Sequence, residues 1–452
     1  MAVDVTHANR SQLASLPPGP RIAPLQSFRY FRDPFGYYDE MKARYGDLFT
    51  MPTMNGTLII AMSADHVKDI LGRRDLAVGF GFGAIEPVLG RGSLLLSTGD
   101  RHRRDRKLLS PTFHGNRMRA YAPLVIECTE HEFKGWVDGR EFCVRDAMEN
   151  ISIEVIIRAA FGVQSAERVL AFRTAIREAI LEVNPAILFF KFLQRDFWGR
   201  GPWSRLKRKL ERLDSLIYQQ IEQSRNVLAG REDMLSRLLE ARDDDGTGLD
   251  DKALRDQLVT FLFAGHETTA TTLSWAFAEA IRHPAMLKRL RDEIVPLGPS
   301  PDPKALAELP YLDAFCLETL RTHPILPEFF RTVATDDCEF AGYPIPRGVS
   351  LAGSILMVHR DERVYDDPLR FEPQRFVDHN YSPHEFLTFG GGQRRCIGAA
   401  FATQEMKLVL GTILPRVDLD SKIAGPLKTV RRNGTLAPEA DVPVRVVRRI
   451  DG

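Results

Sequence analysis

The chain has 452 residues, which is enough for a large buried core and, at about 150 residues each, for about three domains. Hydrophobic residues make up 44% and charged residues 27%, the usual balance of a globular protein in water. The formal net charge is +1, so charge gives no reason to expect nucleic acid or an anionic membrane as a partner.

Cysteine usage indicates the redox compartment. The five cysteines are Cys128, Cys143, Cys316, Cys338 and Cys396. Their number is odd and no pair has C-x-x-C spacing, which argues against a disulfide framework, a zinc site or a redox dithiol and favours a reducing compartment. Residues 1–15 lack the apolar core of a signal peptide, and no apolar run reaches about 18 residues. We therefore expect a cytoplasmic protein without a transmembrane anchor.

Helical periodicity dominates the chain. Taken in order, it predicts helices at residues 33–45, 115–137, 144–161, 203–228, 251–283 and 398–414. Strand signals are few and lie at the two ends. Asn55-Gly56 between two β-prone runs predicts a tight hairpin, and the alternation in 442–449 predicts a strand. The prediction is a mainly α fold with a small β part.

The stretch FLTFGGGQRRCIGAA, residues 386–400, places Cys396 after three glycines and two arginines. A thiolate near a helix N-terminus is stabilised by backbone N–H groups and by cations, so it can act as a nucleophile or a metal ligand. The glycines let the backbone turn without side-chain clashes. The alternative is a buried structural cysteine, since free cysteines are among the most buried residues.

The predicted helix at 251–283 has an unusual centre, FAGHETTATT, with one glycine and four threonines. A glycine inside a helix costs about 1 kcal/mol relative to alanine. Ala264, Gly265 and Thr268 share a face, and a threonine there can bond back to a carbonyl one turn earlier. The pattern predicts a polar notch beside an apolar surface. The alternative is a buried helix that uses small residues for close packing.

Two other motifs are incomplete. His266-Glu267 begins like the zinc-protease motif H-E-x-x-H, but Ala270 stands where the second histidine ligand is needed. GFGFGA, residues 79–84, fits G-x-G-x-x-A, yet a dinucleotide site needs a preceding strand and a βαβ unit. The helical pattern offers neither, so we expect no dinucleotide-binding domain and no zinc protease.

The cysteine stretch and the helix centre together resemble the cytochrome P-450 superfamily. The haem-binding loop is matched by Phe389-x-x-Gly392-x-Arg394-x-Cys396-x-Gly398, and the oxygen-binding helix is matched by Ala264-Gly265-His266-Glu267-Thr268-Thr269. The resemblance covers nearly the whole chain. It implies a soluble bacterial-type haem-thiolate monooxygenase that uses haem b and O2, with the cysteine thiolate as the iron ligand.

Roles of individual residues follow from this resemblance. Cys396 is implied as the metal ligand, and Thr268 and Glu267 as the residues that deliver protons for dioxygen activation. The residues implied to contact the cofactor are His102, Arg106, Ala264, Gly265, Arg331, Phe389, Arg394, Cys396 and Gly398. The cationic ones would bind the haem propionates, which need donors inside a protein. By pattern alone, His102 and Arg106 would be part of a solvated basic helix face.

A third motif concerns structural support. Glu318 and Arg321 lie three residues apart, and alone they would form a surface ion pair worth about 0.5 kcal/mol. Further on, Phe371-x-Pro373-x-Arg375-Phe376 follows. The resemblance implies that Glu318, Arg321 and Arg375 form one buried network that supports the cysteine loop.

The resemblance leaves the substrate open within a hydrophobic class: fatty acid, terpenoid, steroid or polyketide. The candidate pocket residues are Phe80, Phe82, Ile85, Leu94, Phe189, Phe190, Leu326, Phe329 and Leu436, and the apolar stretch at 185–193 is a channel lip or a membrane contact. Electrons would come from NAD(P)H through a separate ferredoxin with its reductase, or through a flavodoxin-type donor. The electron-donor protein would dock on a cationic patch of Arg103, Arg104, Lys107, Arg395 and Lys407. We expect a monomer.

The implied architecture is a prism-shaped helical domain with small β-sheets over residues 17–452, after a flexible segment at 1–16, and this replaces the estimate of three domains. Two alternatives remain. A haem-thiolate peroxygenase or isomerase on the same fold is disfavoured by the Glu267-Thr268 pair, which such chemistry does not need. A non-catalytic haem sensor or electron-transfer protein is disfavoured by Ala264 and Gly265, which leave a coordination position open.

Overall fold

The computed structural model describes residues 15–73, 75–78, 82–183, 187, 194–195, 199–227, 230–423, 425–432 and 434–450. Helices dominate this part of the chain. In chain order they are α1 (Ala23–Arg32), α2 (Pro34–Tyr45), α3 (Ala64–Gly72), α4 (Glu86–Leu89), α5 (Gly99–Leu109), α6 (Asn116–Phe133), α7 (Val144–Phe161), α8 (Ala166–Glu182), α9 (Pro202–Asn226), α10 (Met234–Glu240), α11 (Asp251–Arg282), α12 (Pro284–Ile294), α13 (Pro303–Ala307), α14 (Pro310–Thr322), α15 (Ile355–Val358), α16 (Gln374–Asp378) and α17 (Ala399–Ile413).

The strands form small sheets. They are β1 (Leu48–Thr53), β2 (Gly56–Ala61), β3 (Leu76–Val78), β4 (Glu141–Cys143), β5 (Glu328–Val333), β6 (Glu339–Phe340), β7 (Tyr343–Pro344), β8 (Ser350–Ser354), β9 (Val417–Asp420), β10 (Thr429–Arg432), β11 (Thr435–Pro438) and β12 (Pro443–Arg449). The sheet orders are β1-β2-β8-β5-β3, β4-β12-β9, β10-β11 and β6-β7. The mainly α prediction with small sheets is confirmed.

All six predicted helices are confirmed, as α2, α6, α7, α9, α11 and α17. The bounds of α11 have a local cause. Its N-terminus is capped by the Asp250 side chain, which accepts a hydrogen bond from the backbone N–H of Ala253 at 2.7 Å. Its end at Arg282 comes just before Pro284, which lacks the N–H that a continuing helix needs.

The strand prediction is right at the ends and wrong in the middle. The hairpin at Asn55-Gly56 is confirmed by the antiparallel pairing of β1 with β2, and the C-terminal strand by β12. However, β5 and β8 pair with each other and join β2 in the largest sheet. The sequence SLAGS of β8 is buried at every position, so it shows no alternation from which a strand could be predicted.

The chain divides into two compact units, each described by itself. The first unit falls within Met1–Gly83, Leu317–Cys396 and Thr429–Ala437. It contains the five-stranded sheet, on which α1 and α2 pack through an aromatic core. The second unit falls within Ala84–Cys316, Ile397–Lys428 and Pro438–Gly452.

The start of the first unit corrects one boundary. Leu16 is 7% exposed and lies in a core cluster with Ile59 and Phe340, and the backbone N–H of Thr50 donates to the carbonyl of Pro18 at 3.1 Å. The predicted flexible segment at 1–16 is therefore too long at its C-terminal end, since a buried leucine ties the chain to the core. The single-domain prediction for residues 17–452 stays a prediction.

The second unit is built around the long helix α11. Helix α7 packs along α11, α17 packs on α6, and α9 packs on α8. The apolar side of α11 is almost entirely buried, from Leu254 to Ala280. Among the described residues, no helix is long and apolar enough to cross a membrane.

Candidate active site

The cysteine loop (residues 386–396) belongs to the first unit. Cys396 is exposed, whereas Cys128, Cys316 and Cys338 are buried and Cys143 is intermediate. Burial raises the pKa of the Cys128 thiol to about 12 and that of Cys338 to about 11. These two thiols stay protonated at neutral pH, and Cys396 is the one exposed cysteine of the five.

The loop closes on itself through its backbone. The N–H of Cys396 donates to the carbonyl of Phe389 at 2.8 Å, and a single 3-10 turn, Gly392–Arg394, lies between them. Both Phe389 and Arg394 are partly buried. In the second unit, Gly398 is the N-cap of α17, and its carbonyl accepts from the N–H of Ala402 at 2.9 Å.

The three glycines of the loop differ in how strongly the structure needs them. Gly390 and Gly392 have φ of +61° and +62°, a conformation that residues with a Cβ rarely adopt. A Cβ on Gly391 would lie 2.6 Å from the Leu71 side chain, and one on Gly392 would lie 2.9 Å from the Leu71 carbonyl oxygen. The loop is thus pressed onto the C-terminal end of α3.

The residues predicted as a structural network meet in the first unit. Arg321 donates to both oxygens of Glu318, from Nε at 2.7 Å and from Nη2 at 2.8 Å, and both side chains are 0% exposed. Arg375 Nε donates to Glu318 Oε1 at 3.1 Å. The backbone N–H of Glu372 also donates to Glu318 Oε1, at 2.8 Å. One buried carboxylate therefore satisfies two guanidinium groups and a backbone amide.

His359 connects this network to the cysteine loop and was missed by sequence reasoning. Its Nδ1 donates to the carbonyl of Arg321 at 3.0 Å, and its Nε2 accepts from the backbone N–H of Leu387 at 2.8 Å. The ring also stacks on Phe386, with centroids 5.6 Å apart. Burial lowers the pKa of His359 to about 3, so the imidazole is neutral and can donate and accept at once.

Arg331, on β5, is a cation in an apolar setting. Its Nη1 donates to the Phe330 carbonyl at 2.8 Å and its Nη2 to the Gly391 carbonyl of the cysteine loop at 3.2 Å. It forms no ion pair with any described carboxylate, and burial lowers its pKa to about 10. A half-buried guanidinium of this kind favours an anionic partner.

The notch predicted on α11 is present in the second unit. Thr268 Oγ1 donates to the Ala264 carbonyl at 2.7 Å, and Thr269 Oγ1 donates to the Gly265 carbonyl at 2.8 Å. Ala264 is exposed, and a Cβ on Gly265 would meet only Ile156 Cδ1, at 3.5 Å. This is ordinary van der Waals contact, so the small residues are not needed for close packing and the packing alternative fails.

The neighbours of Thr268 on α11 differ in environment. Glu267 is partly buried and lies 3.9 Å from Arg145, whose Nε also donates to Glu149 at 2.7 Å. His266 is buried on another side of the helix, and burial lowers its pKa to about 4.

His102 and Arg106, which the resemblance assigns to the cofactor, lie one turn apart on α5. His102 is 3% exposed and Arg106 is partly buried, whereas Arg103 and Lys107 on the same helix are exposed. His102 and Arg106 therefore face the protein, and the interpretation of this pair as a solvated basic face is wrong.

The predicted pocket residues divide into several groups. Leu94 is buried and Ile85 is partly buried in the second unit. In the first unit Leu326 is 48% exposed, Phe329 packs against two core clusters, and Leu436 is 1% exposed within the aromatic core. Phe80, Phe189 and Phe190, most of the stretch 185–193 and the side chain of Phe82 lie outside the described residues. Leu436 thus occupies the position of a core residue.

The cationic docking patch is a prediction that the structure corrects. Four of its five members pair with aspartates: Arg103 with Asp100, Arg104 with Asp243, Lys107 with Asp244 and Lys407 with Asp313. Arg395 is exposed. Because the paired charges cancel, these four residues do not form a net positive surface.

Comparisons with known proteins place the chain in a family. The cytochrome P450 family model matches residues 14–441. A Mycobacterium tuberculosis protein named as a cytochrome P450 135B1 is 35% identical over 95% of this chain and 91% of its own length. One named as a cytochrome P450 135A1 from the same organism is 32% identical over 97% of each chain.

A solved structure, the retinoic acid-bound cyanobacterial CYP120A1, superposes with a TM-score of 0.82 at 24% identity, over 96% of this chain and 99% of that one. At this identity the likeness concerns the fold. The sequence matches extend over nearly the full length of the relatives. The chain therefore belongs to the cytochrome P450 family of haem-thiolate monooxygenases, which use haem b, dioxygen and NAD(P)H-derived electrons delivered by partner proteins.

Proposed function

We propose that this chain inserts one oxygen atom from O2 into a hydrophobic small molecule, with Cys396 as the iron ligand and with electrons from a separate ferredoxin or flavodoxin-type donor. The observation that carries the proposal is the exposure of the cysteines: Cys396, in the family's ligand position, is exposed on a loop whose positive φ angles at Gly390 and Gly392 favour glycine. A monomeric state and a cytoplasmic location stay predictions.

The residues of the chain fit a haem group by their chemistry. Cys396 offers a thiolate, a ligand that haem iron accepts. Arg331 offers a half-buried cation without a described acidic partner, as a propionate requires. We assign Arg394, His102 and Arg106 to the propionates as well. Ala264 and Gly265 keep side-chain bulk away from one face of α11.

The proposed mechanism gives each residue one task. When bound, the haem supplies the iron that activates dioxygen. Phe389 and the glycines hold the Cys396 sulfur in one position. Thr268, whose hydroxyl already donates to the Ala264 carbonyl, can rotate to pass a proton, and Glu267 beside Arg145 can resupply it. The apolar Ile85 and Leu94 would hold the substrate and exclude water.

The substrate class is proposed from the apolar side chains alone. Fatty acids, terpenoids, steroids and polyketides all fit such walls, and the retinoic acid bound to the cyanobacterial CYP120A1 is a ligand of that protein. The alternative of a peroxygenase is weakened by Thr268 and Glu267, since proton delivery to dioxygen is needed only when O2 is the oxidant.

The first experiment is the carbon monoxide difference spectrum of the reduced protein beside Cys396→Ser, with Cys143→Ser as the matched control. We expect a strongly red-shifted Soret band in the natural protein and the control, and its loss in Cys396→Ser. A band typical of histidine-ligated haem, or no haem at all, would overturn the proposal.

A second measurement separates monooxygenase from peroxygenase. With a hydrophobic substrate, the hydroxylated product should carry the ¹⁸O label when ¹⁸O2 and a reduced ferredoxin are supplied. Thr268→Ala should divert at least tenfold more of the electrons into hydrogen peroxide. Label from H2¹⁸O2 alone, with no effect of Thr268→Ala, would favour the peroxygenase.

A further inference from the structure

The segment 88–94 (the anchored loop) comprises the end of α4 and the irregular residues after it, and side chains of α11 bond several of its backbone groups. The N–H of Gly92 donates to Asp256 Oδ2 at 2.7 Å, and the N–H of Leu94 donates to Gln257 Oε1 at 3.1 Å. The amide of Gln257 returns a bond from Nε2 to the Gly92 carbonyl at 2.6 Å. One glutamine therefore satisfies both a donor and an acceptor of the loop.

Two further side chains of α11 complete the attachment. Arg255 Nη1 donates to the carbonyls of Val88 and Leu89 at 3.3 and 3.2 Å, and Thr260 Oγ1 donates to Ser93 Oγ at 2.7 Å. The exposed fractions of the five polar partners are Arg255 7%, Asp256 2%, Gln257 0%, Thr260 5% and Ser93 0%. Burying so many polar groups is costly unless each is paired, as these are.

Gly90 shows how close the contact is. A Cβ on Gly90 would lie 2.0 Å from Asp256 Oδ1, and its φ is +81°. A side chain at this position would force the loop away from α11. These contacts therefore hold the loop close against α11.

The anchors share a face of α11 with the notch. Gln257, Thr260, Ala264 and Thr268 follow one another at intervals of three or four residues, which places them in one stripe of a helix. Thr260 and Thr268 are eight residues apart, a distance of about 12 Å along the axis. The helix therefore sets how far the loop stands from the threonine that the proposed mechanism uses.

We propose that Asp256, Gln257 and Thr260 are positioning residues for substrate specificity: they fix the anchored loop, with Leu94, as a rigid wall at a set distance from Thr268. The inference rests on the proposed function, since it takes the loop as a wall of the substrate pocket. A rigid apolar wall selects substrates by shape, whereas a mobile one would adapt to many shapes.

The first test measures rigidity in the whole protein by hydrogen–deuterium exchange. Gln257→Leu removes both bonds of the glutamine at similar volume, so we expect exchange of the peptide containing Gly92 and Leu94 to become at least tenfold faster. Gln257→Glu keeps the acceptor for Leu94 and should have a smaller effect. Unchanged exchange in both variants would show that the side chains do not hold the loop.

The second test measures selectivity with 1-phenylimidazole and 4-phenylimidazole, with imidazole as the reference that is too small to meet the wall. We expect the natural protein to bind the two isomers with dissociation constants that differ at least fivefold, and the ratio to approach one in Gln257→Leu and Thr260→Val. Faster exchange with an unchanged ratio would overturn the specificity role.

Gln220→Leu is the matched control. Gln220 is also buried and bonded at both ends, to the Phe161 carbonyl at 3.0 Å and to Arg168 at 2.9 Å, but it does not touch the loop. We expect it to change neither loop exchange nor the ratio. If no azole shifts the Soret band of the natural protein, the proposed function itself fails, whatever the exchange data show.

Discussion

The cysteine loop and the anchored loop solve the same problem in different ways. Both are irregular segments in which buried side chains bond backbone groups that the segment itself does not satisfy. The cysteine loop is held through intermediaries, since the charged network reaches Leu387 through the imidazole of His359. The anchored loop is held directly, by side chains of one helix. In the cysteine loop, indirect support and glycines with positive φ position the Cys396 sulfur. In the anchored loop, direct support by α11 determines the shape of a surface.

The largest effect should come from the charged network. Arg321→Ala leaves the buried Glu318 with one guanidinium, which should cost about 3–5 kcal/mol of unfolding free energy and abolish the red-shifted carbon monoxide band. Glu279 and Arg282 form another E-x-x-R pair, in which the arginine is 30% exposed. Glu279 is buried but keeps His283 as a second partner, so Arg282→Ala should cost less than Arg321→Ala and keep the band. If urea unfolding showed equal losses of unfolding free energy for Arg321→Ala and Arg282→Ala, the network around Glu318 would be no more important than an ordinary E-x-x-R pair.

Removing the intermediary should have the next largest effect. His359→Leu leaves the Arg321 carbonyl and the Leu387 N–H buried without partners, at about 1–3 kcal/mol each. His66→Leu is the control, because that histidine bonds only within the first turn of α3. A stability loss in His359→Leu without any change in the Soret band or in the midpoint potential would mean that the imidazole supports the fold but not the sulfur.

The same histidine should also give a pH signature. The folded pKa of His359 is about 3, below its ordinary value, so the unfolded state binds a proton between about pH 6.5 and pH 3 that the folded state does not. The unfolding free energy should therefore fall as the pH drops below about 6.5, by about 2 kcal/mol at pH 5. His359→Gln should remove this part of the slope in urea titrations at several pH values, and an unchanged slope would contradict it.

The glycines of the cysteine loop should differ from one another. In Gly392→Ala the Cβ meets a backbone oxygen and φ is positive, so we expect a loss of about 1–3 kcal/mol. In Gly391→Ala the Cβ meets only the Leu71 side chain, which can move, so the loss should be smaller. Thermal unfolding with the haem Soret band as the probe ranks the two variants, and the reverse order would show that Leu71 cannot move.

The smallest effect on stability should have the opposite sign. Gly265→Ala adds a methyl group that meets only Ile156 Cδ1 at 3.5 Å, and alanine favours helix by about 1 kcal/mol. We expect a slightly more stable protein that nevertheless forms less product per electron, because the notch is narrower. Full product yield in the variant would show that the room beside Thr268 has no catalytic use.

Local patterns explain which parts of the fold could be predicted. Periodicity sufficed for α11, and Asn55-Gly56 sufficed for the first hairpin, because both signals are contained in neighbouring residues. The pairing of β8 with β2 joins residues almost 300 positions apart, and its small buried residues carry no alternation. Strand pairing of this kind depends on tertiary contacts that no short window contains.

The site residues also differ in whether a local pattern could predict them. Cys396, Thr268 and the pair of Glu318 with Arg321 lie in motifs with fixed spacing. His359 is one of 11 histidines, and its function depends on a carbonyl and an N–H that are 38 and 28 residues away. The role of Gln257 could not be predicted either, since its partners lie in a loop 163 and 165 residues away.

The stripe on α11 fixes the spacing between the residues that hold the anchored loop and Thr268, which limits how the protein can be engineered. Inserting one residue between Thr260 and Ala264 would rotate everything beyond it by about 100° and lengthen the helix by about 1.5 Å, so the loop and the threonines would no longer face the same space. The register of these three turns is therefore fixed. The apolar residues of the loop, by contrast, can be exchanged to change which molecules fit, provided that Gly90 and the partners of Gln257 are kept.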